Sequence, residues 1–514
     1  MEQKEQYIYV EPEPYSTDVL AMLRSFFPER NLKVIVPESR EEVRAEADRS
    51  GLFCSVICRG EQACIRFDGR EYHFPEEVLE ERAEDMPEET PGGKEISPAF
   101  KKALGAYIYR MLEKTTGRTL PWGNLNGVRP TKPAFYGLQK GESREQILRY
   151  YLEEHYVSRE KAELSIDIAQ RELGVLEQIR HGDAGYTAGY SLYIGIPFCP
   201  TTCLYCSFTS FPIAGYRNLV DAYIDALIRE IRATAEMMHG RGPDSVYIGG
   251  GTPTTLEPAQ SERLIRALEE EMDLSGCKEF TVEAGRADSI TQEKLEVFRR
   301  HGVTRISINA QTMKQETLDF IGRRASVEQV REAYRIARRL GFDNINMDLI
   351  LGLPGEGAGD VRETMRQVRE LAPESLTVHS LAIKRASRLA RWIEENGMLA
   401  AGNTDETMAI AAEGAASMGL YPYYLYRQKN MSGNFENVGY AAPGKYGLYN
   451  VLMMEEIQSV IALGAGTITK RVDARKGADK ETAYEIRRSE NVKDVKLYLE
   501  HTEEMIDRKR ELFR

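Results

Sequence analysis

The sequence contains few cysteines and no long run of apolar residues. Its seven cysteines are an odd number, and their spacing is unlike the even framework of a disulfide-rich secreted domain. Residues 1–6 are polar and of mixed charge, so they lack the apolar core of a signal peptide, and no later segment is apolar for long enough to cross a bilayer. We therefore expect a cytoplasmic protein without a membrane span.

An excess of basic residues is also missing. The 514 residues include 68 Lys and Arg against 80 Asp and Glu, which gives a formal net charge of −12. This charge opposes binding to nucleic acid and to anionic membranes, so neither is an expected partner. The length suggests roughly three domains, and the hydrophobic content of 42% is ordinary for a globular protein.

Four segments differ in their pattern along the chain. Residues 1–93 are predicted to form a small α/β domain that ends in an acidic, proline-containing linker over 76–93. Residues 94–185 have apolar residues at helical spacing, which predicts a helical domain. A strand-and-helix domain is predicted over 186–390, and a mostly helical C-terminal region over 391–514.

Short apolar strands alternate with amphipathic helices in the third segment, a pattern that is typical of parallel βαβ units. Six strands are predicted, over 191–197, 244–248, 279–283, 305–309, 344–351 and 375–381. Six units are too few to close an eight-stranded barrel. We therefore expect an α/β fold with an open, partial (β/α)6 barrel, in which chemistry collects at the C-terminal ends of the strands.

Three of the cysteines lie directly after the first predicted strand. Cys199, Cys203 and Cys206 have a CxxxCxxC spacing. Three thiolates on one loop can hold three irons of a cubane iron–sulfur cluster, and without a fourth local cysteine one iron keeps an open position, as a catalytic metal site requires. A structural loop or a zinc site are the alternatives, but zinc usually takes CxxC pairs and no second pair lies nearby.

Three other cysteines belong to the first segment. Cys54 and Cys58 share one face of a predicted strand, and Cys64 lies in the next strand of the same hairpin. We interpret all three as small hydrophobic core residues. A second metal site is the alternative, although no pattern of histidines or acids in the sequence supports it.

Polar residues and glycines follow several of the predicted barrel strands. A run of three glycines over 249–251 would let the backbone approach a ligand closely, although tight turns also use glycine. Glu283, Gln311 and Asp348 lie inside or at the end of apolar strands. A buried polar group needs a partner, which a ribose, an ammonium group, an adenine or a neighbouring loop would supply.

The order of these motifs resembles the radical S-adenosylmethionine (SAM) enzymes and, among them, the oxygen-independent coproporphyrinogen III oxidase family in its branch with an N-terminal extension, the coproporphyrinogen dehydrogenases. The resemblance covers 188–390 well and 391–470 more loosely. It implies a [4Fe-4S] cluster on Cys199, Cys203 and Cys206 with SAM at the fourth iron. The SAM contacts that it implies are Tyr193, Tyr205, Gly250, Gly251, Thr252, Glu283, Gln311, Arg323, Asp348, Ala382 and Ile468.

The same resemblance implies a radical SAM oxidoreductase. Its reaction would be the oxidative decarboxylation of two propionates of coproporphyrinogen III to vinyl groups, which gives protoporphyrinogen IX in anaerobic heme biosynthesis. The expected partners are this tetrapyrrole substrate and an electron donor protein of the flavodoxin or ferredoxin type. A heme-binding, chaperone-like protein and a radical SAM enzyme that modifies heme itself are the alternatives.

Two positions depart from the related branches. Phe208 stands where the oxidase branch has a further cysteine two residues after the third. The heme-chaperone branch carries a His-Asn-x-x-Tyr-Trp segment, whereas the comparable residues 443–450 contain neither His nor Trp. This difference disfavours the heme-carrier interpretation.

The C-terminal region is expected to cover the substrate. An aromatic loop is predicted over 421–430, where tyrosines alternate with Arg and Lys; flat rings suit a tetrapyrrole face and cations suit its carboxylates. Lys384, Arg385 and Arg388 could add to this surface. A packed tyrosine cluster with a solvated basic edge is the equal alternative. Residues 487–514 are predicted to form a charged helix.

Overall fold

The computed structural model of the protein describes residues 5–27, 30–35, 52–75, 97–182, 185–384, 387–396, 402–428, 435–474 and 484–514. The predicted linker over 76–93 lies outside these residues. Two compact units are present. One holds the described residues of Met1–Pro130, Glu142–Ile166 and Gln428–Asn434, and the other those of Thr131–Gly141, Asp167–Arg427 and Phe435–Arg514. The division into four domains stays a prediction.

The first unit contains a five-stranded sheet in the order β2-β1-β3-β4-β5. Its strands are β1 (Gln6–Glu11), β2 (Leu32–Val34), β3 (Cys54–Arg59), β4 (Gln62–Phe67) and β5 (Arg70–Phe74). Strand β1 is parallel to β2 and β3, while β3, β4 and β5 form an antiparallel meander. Helices α1 (Ser16–Phe26) and α2 (Pro98–Thr116) bury apolar residues in one core with this sheet.

The cysteines of this sheet differ in their surroundings. Cys54 and Cys58 belong to its hydrophobic core, where they are 1% and 7% exposed, which confirms their prediction as core residues. Cys64 on β4 is only half-buried. Its neighbours on β5 are polar, so it does not share the role of the other two.

Three further helices precede the barrel, over Lys132–Lys140 (α3), Arg144–Arg149 (α4) and Arg159–Leu176 (α5). Helix α4 begins with a reciprocal capping box between Ser143 and Gln146. A π-helical turn over Tyr150–Glu154 follows α4 directly. The helical prediction for this segment is confirmed for these elements.

The second unit is built on an eleven-stranded sheet in the order β14-β15-β13-β12-β11-β10-β9-β6-β16-β17-β18, and a short two-stranded pair, β7 with β8, lies beside it. Seven adjacent strands, from β13 to β16 in this order, are parallel. The strands of the second unit are β6 (Tyr190–Ile196), β7 (Phe198–Cys199), β8 (Phe211–Pro212), β9 (Ser245–Gly250), β10 (Glu279–Glu283), β11 (Arg305–Ser307), β12 (Ile345–Leu351), β13 (Ser375–Ser380), β14 (Tyr421–Tyr426), β15 (Asn437–Ala441), β16 (Ser459–Leu463), β17 (Ile468–Ala474) and β18 (Tyr484–Glu490).

Helices connect the parallel strands, as the alternating pattern predicts. The barrel helices are α6 (Val220–Met237), α7 (Pro258–Glu271), α8 (Gln292–Arg300), α9 (Gln315–Phe320), α10 (Val327–Arg339) and α11 (Ala358–Leu371). The C-terminal region adds α12 (Arg388–Asn396), α13 (Asp405–Ser417), α14 (Leu448–Glu455), α15 (Val495–Glu500) and α16 (Thr502–Phe513). The six predicted strands correspond to β6 and β9 to β13, so the expected partial (β/α)6 barrel is confirmed.

The C-terminal region contains strands as well as helices. Instead of an aromatic loop, the tyrosine-rich stretch forms β14, which pairs antiparallel with β15, because tyrosine favours extended backbone and β15 offers a partner. The charged stretch from 487 onward is not one helix: it first completes β18 on β17 and then forms α15 and α16. Strand β16, a seventh parallel strand on β6, was not predicted.

The start of α14 closes the N-terminal edge of the parallel strands. Glu279, the first residue of β10, accepts hydrogen bonds from the backbone N–H groups of Leu448 and Tyr449 at 2.8 and 3.1 Å. Arg305, the first residue of β11, donates to the carbonyl oxygen of Lys445 at 2.9 Å. The opposite, C-terminal edge is therefore the one that can admit ligands. Among the described residues, no helix combines the length and apolar content that crossing a membrane demands.

Candidate active site

The three cysteines lie in a loop that β6 and β9 hold at the C-terminal edge of the barrel. This cysteine loop comprises residues 199–206. Ile196 and Gly250 are paired at the ends of the two strands. Beyond them the backbones stay linked, because Gly251 N–H donates to the Ile196 carbonyl and Thr252 N–H to the Phe198 carbonyl, both at 2.7 Å. The glycine-rich turn thus fixes where the first cysteine stands.

The thiols converge in a mostly buried place. Cys199 and Cys203 are 9% and 8% exposed, Cys206 is half-buried, and all three are free. Burial raises the pKa of Cys199, and the nearby Cys203 and Cys206 raise it further. Three sulfur ligands that interact electrostatically within one short loop are the donor set that a cubane iron–sulfur cluster needs.

Gly251 and Thr252 pack against the first thiol. A Cβ atom on Gly251 would lie 2.7 Å from the Phe198 carbonyl oxygen and 3.0 Å from the Cys199 Sγ, so only glycine fits. The Thr252 hydroxyl donates to Cys199 Sγ at 3.5 Å. The resemblance implies both residues as SAM contacts, and the structure brings both to the cysteine loop.

An arginine that the sequence analysis missed contacts the second thiol. Arg286, 3% exposed, donates to the Thr201 carbonyl and hydroxyl oxygens at 2.9 Å each and lies 3.7 Å from Cys203 Sγ. Asp288 holds the same guanidinium in an ion pair at 2.6 Å. The sequence could have indicated this residue, because Arg286 is a charged residue that closely follows the apolar strand β10.

Tyr205 and Arg323 form the next part of the site. Arg323 donates to the Asn309 carbonyl at 2.6 Å and interacts electrostatically with Tyr205 and Cys203. Its Nε atom is buried and has no partner within the described part of the chain. A buried donor without an acceptor is costly, so this N–H fits a ligand that supplies one.

Inside the barrel, Glu283 accepts a hydrogen bond from the Tyr247 hydroxyl. Burial raises the pKa of the Glu283 carboxyl to about 7, and the charge of Asp348 adds to the rise. Tyr193, Tyr247 and Tyr449 lie in a stack, with ring centroids 6.0 Å apart for the first two and 4.4 Å for the last two. The hydroxyl of the middle ring, Tyr247, is the one that reaches Glu283.

Gln311 and Asp348 lie on adjacent strand ends. Gln311 adopts a left-handed backbone (φ 69°) and forms an isolated bridge with Leu349, so β11 and β12 stay linked past the last regular pair. Asp348 accepts a hydrogen bond from the Asn346 side chain at 2.8 Å. Its charge acts on Glu283, which places both carboxylates in one interior.

The last two predicted contacts lie further along the chain. Ala382 is half-buried and lies two residues after the end of β13. Ile468 is 43% exposed at the start of β17, after a turn in which a Cβ on Gly466 would lie 3.2 Å from Thr209, three residues beyond the cysteine loop. The assignment of the eleven SAM contacts stays a prediction.

A histidine of β13 was also missed. His379 has one ring nitrogen 4.0 Å from an Asp348 carboxylate oxygen and the other 3.3 Å from the Tyr426 hydroxyl. Burial lowers the pKa of this imidazole. Because β-strand side chains alternate, a histidine within an apolar strand that faces the same interior as Asp348 could have been found from the strand pattern.

Some tyrosines of β14 form the packed cluster and one lies where the predicted tetrapyrrole surface would be. Tyr423 and Tyr424 are 1% and 5% exposed and pack in the core, so for them the packed cluster holds. Tyr426 is half-buried and faces His379. Lys384 follows β13 and is half-buried. The predicted cations Arg385 and Lys429 lie outside the described residues.

Arg388 belongs to another surface, on the outer side of the cysteine loop. Its guanidinium donates to the Thr202 carbonyl oxygen at 3.3 Å. A cavity of about 480 Å³ opens there, which we call the arginine pocket. Its lining residues are Thr201, Thr202, Pro212, Asp319, Gly322, Arg323, Arg324 and Arg388.

A partial α/β barrel with three converging thiols at its C-terminal edge defines the radical SAM proteins, which use a [4Fe-4S] cluster and SAM. The family model described as "Radical SAM superfamily" matches residues 193–368. The protein is 39% identical over 418 residues to the "Oxygen-independent coproporphyrinogen-III oxidase-like protein HemZ" of Bacillus subtilis (strain 168), an alignment that covers 80% of this chain and 81% of that relative. The chain therefore belongs to the oxygen-independent coproporphyrinogen III oxidase-like family of radical SAM proteins.

Proteins that are named for a different role are similar too. The "Heme chaperone HemW" of Lactococcus lactis subsp. lactis (strain IL1403) is 31% identical over 277 residues, which cover 54% of this chain and 68% of that relative. Among solved structures, "Coproporphyrinogen III oxidase (HemN) from Escherichia coli" is similar over 65% of this chain and 73% of that chain, at 23% identity and a TM-score of 0.48.

Proposed function

We propose that the protein is a coproporphyrinogen dehydrogenase, a radical SAM enzyme that converts two propionate side chains of coproporphyrinogen III to vinyl groups and so yields protoporphyrinogen IX. The observation that carries the proposal is the convergence of Cys199, Cys203 and Cys206 at the open edge of the barrel, in a chain that is 39% identical to an oxygen-independent coproporphyrinogen-III oxidase-like protein. The cluster and SAM, when bound, would supply the radical that removes one hydrogen atom from each propionate, which then loses CO2 and passes one further electron to a one-electron acceptor.

The chain's own residues would hold these groups and shield them. The three thiolates would ligate the cluster, while Thr252 and Arg286 donate toward the sulfurs of Cys199 and Cys203 and so stabilise their negative charge. The free Nε of Arg323 would donate to SAM. Glu283 would accept a hydrogen bond from SAM or oppose its positive charge.

The tetrapyrrole would enter from the same edge, where His379 and Tyr426 lie in the last residues of β13 and β14 and Lys384 follows β13. The Tyr426 ring would lie against one face of the macrocycle, and His379 would hydrogen-bond to it. The Lys384 ammonium would bind a propionate carboxylate, as ammonium groups do. These assignments rest on the positions of the three side chains at the open edge.

An anaerobic assay tests the proposed reaction. The reconstituted protein is mixed with reductant, SAM, coproporphyrinogen III and a one-electron acceptor, and the porphyrinogen products are oxidised to porphyrins and identified by mass spectrometry. Products that have lost one and then two carboxyl groups, together with methionine formation, are expected. Intact coproporphyrinogen beside normal SAM cleavage would contradict the substrate assignment.

Cys203→Ala should abolish cluster absorbance and turnover, whereas Cys277→Ser, which changes another half-buried thiol outside the site, should retain both.

A heme-binding, chaperone-like function is the second candidate, and the similarity to HemW favours it. Residues 443–450 oppose it: they contain neither His nor Trp, and Lys445 contacts the N-terminal edge of the barrel, away from the cysteine loop. Titration with heme under the same anaerobic conditions separates the two. Tight heme binding without conversion of coproporphyrinogen would support the second candidate, and consumption of heme would support a heme-modifying enzyme.

The reductant would dock at the arginine pocket. Arg324 and Arg388 are exposed and line this pocket together with Thr201 and Thr202, which belong to the cysteine loop itself. In a chain of net charge −12, such a local positive surface favours an acidic partner. We therefore assign the pocket to an acidic one-electron donor protein of the flavodoxin or ferredoxin type.

Rapid-mixing measurements test this docking site. Reduced flavodoxin is mixed with oxidised protein, and the rate of cluster bleaching is followed. Arg324→Glu and Arg388→Glu should lower the second-order rate at least about tenfold, since electrostatic steering contributes this much or more to association. Lys493→Glu, which makes the same charge change at an exposed site elsewhere, should leave the rate near that of the native protein. Equal rates in all proteins would place the donor elsewhere.

A further inference from the structure

Strands β4 and β5 of the first unit bring three residues of metal-binding chemistry together. The strands are joined by a tight turn in which Asp68 and Gly69 both have positive φ, 50° and 71°. Such a two-residue turn sets the register of a hairpin. The register pairs Cys64 directly with His73. Glu71, two residues before His73, faces the same side of the sheet because strand side chains alternate.

Their ligand atoms are close enough to share one ion. The Cys64 sulfur, a Glu71 carboxylate oxygen and a His73 ring nitrogen all lie within 4.8 Å of one another. The His73 Nε2 atom is 3.0 Å from the Glu71 Oε1 atom. Ligand atoms around a tetrahedral zinc ion lie about 3.3–3.6 Å apart, given bond lengths of about 2.0–2.3 Å. The observed spacing thus needs only small side-chain movements.

A fourth side chain orients the carboxylate. Arg66 donates to Glu71 Oε2 at 2.7 Å and leaves Oε1 on the side of His73. Carboxylates that bind metals are usually held in this way by a hydrogen bond from outside the ligand set. His73 and Glu71 keep about a third of their side-chain surface exposed, 30% and 34%, so an ion can enter from solvent.

We propose that Cys64, Glu71 and His73 form a binding site for a divalent transition metal ion, with zinc as the ion that best fits this mixed sulfur, nitrogen and oxygen set. The fourth position is left to water or to an external ligand. Binding would release the thiol proton of Cys64, and the ion would replace the contact between His73 and Glu71 with bonds to itself. The site lies apart from the cysteine loop in sequence and does not depend on the proposed reaction.

Cobalt binding tests the site directly. The full-length protein carrying Cys199→Ala, Cys203→Ala and Cys206→Ala, which removes the competing thiols, is titrated with Co²⁺ under anaerobic conditions. We expect a thiolate-to-cobalt charge-transfer band in the near ultraviolet and one equivalent of bound metal. Cys64→Ser added to this background should abolish the band, His73→Gln should weaken binding at least about tenfold, and Arg66→Ala should weaken it by about 10- to 100-fold.

Two controls make the result decisive. Cys277→Ser in the same background should retain the band, because that thiol donates instead to the Glu279 carbonyl oxygen, and Arg70→Gln should also leave it unchanged, as an exposed change in the same hairpin. Should the triple variant fail to fold, zinc and iron are counted in the reconstituted native protein and in Cys64→Ser. Loss of one zinc ion per chain in Cys64→Ser, with the same iron content as in the native protein, supports the site. An absent charge-transfer band, or zinc content that is equal in both proteins, overturns it.

Discussion

The space around single residues decides how closely the chain can hold the first cluster ligand. At Gly251 a methyl group would meet both a backbone carbonyl and the Cys199 sulfur, and neither can move without shifting the cysteine loop. At Glu283 the surroundings act on charge, because burial in the barrel interior raises the pKa of the carboxyl to about 7. Both residues are therefore constrained by what surrounds them.

Gly251→Ala should disturb the cysteine loop. The added methyl needs a shift of the Phe198 carbonyl or of Cys199, which we expect to lower stability by about 1–3 kcal/mol and to reduce iron retention. Iron per chain after anaerobic reconstitution, together with the thermal midpoint, measures the effect. Gly276→Ala, at an exposed glycine with no atom within 4 Å of the added Cβ, is the matched control. Equal iron content in the two variants would contradict the close approach.

Glu283 predicts a pH dependence with a definite sign. Its pKa of about 7 lies above the ordinary value of 4.5, so the folded protein binds a proton that the unfolded chain has already lost between these values. Stability without ligands should therefore fall as the pH rises from about 5 to 7 and then level off. Glu283→Gln should be more stable relative to the native protein at pH 8 than at pH 5. Urea midpoints at both pH values measure this, and a constant difference would argue against it.

At the scale of elements, a buried ion pair attaches the C-terminal helix to the barrel. Glu230 on α6 pairs with Lys509 on α16, and the two side chains are 0% and 2% exposed. Glu230 also accepts hydrogen bonds from the Gly464 N–H at 2.7 Å and from the Tyr498 hydroxyl at 2.6 Å. One carboxylate thus links two helices and the turn that follows β16, so α16 is part of the folded core.

Removing one partner of this pair should be costly. Lys509→Met leaves the Glu230 carboxylate buried without its cation, and we expect a loss of about 3–5 kcal/mol in the free energy of unfolding. The double variant Glu230→Gln with Lys509→Met should recover part of it. Arg508→Ala, which breaks an exposed pair with Glu504 on the same helix, should cost at most about 1 kcal/mol. Urea unfolding, followed by circular dichroism, compares the three variants. Similar losses of stability in Lys509→Met and Arg508→Ala would refute the anchoring role.

At the scale of the whole molecule, local and overall charge have opposite signs. The chain carries −12, yet the outer side of the cysteine loop presents Arg324 and Arg388. A negatively charged partner is repelled by the molecule at long range and attracted by the pocket at short range. Whether the long-range repulsion or the short-range attraction prevails depends on how strongly salt screens each of these forces. Screening acts over a distance of about 8–10 Å at ordinary ionic strength.

The salt dependence of reduction should change sign when the pocket is reversed. With the native protein, rising ionic strength should slow cluster reduction by a reduced flavodoxin, because the attraction at the pocket is screened. With Arg324→Glu and Arg388→Glu combined, salt should speed reduction, because only repulsion remains to be screened. Rapid mixing over a salt series gives both slopes, and dithionite should reduce both proteins to the same extent. Slopes of equal sign would remove the pocket from the docking surface.

Much of the barrel and part of the site could be predicted from local patterns. Strand periodicity placed β6 and β9 to β13, because apolar alternation depends only on which faces are buried. The spacing of Cys199, Cys203 and Cys206 identified a cluster loop, since three thiols within eight residues cannot separate. Charged stretches were less informative, because β18 carries charges at a spacing that a helix would also show. Only its pairing with β17 decides that this segment is a strand.

By itself the sequence determined the class of fold, the thiol loop and the polar strand ends, because each depends on residues that are close along the chain. Tertiary structure alone decided that Arg286 reaches Cys203 and that β16 pairs with β6. It also placed Glu71 and His73 beside Cys64, where the sequence shows no ligand pattern. These contacts depend on sheet register and on packing between distant elements, which no local spacing encodes.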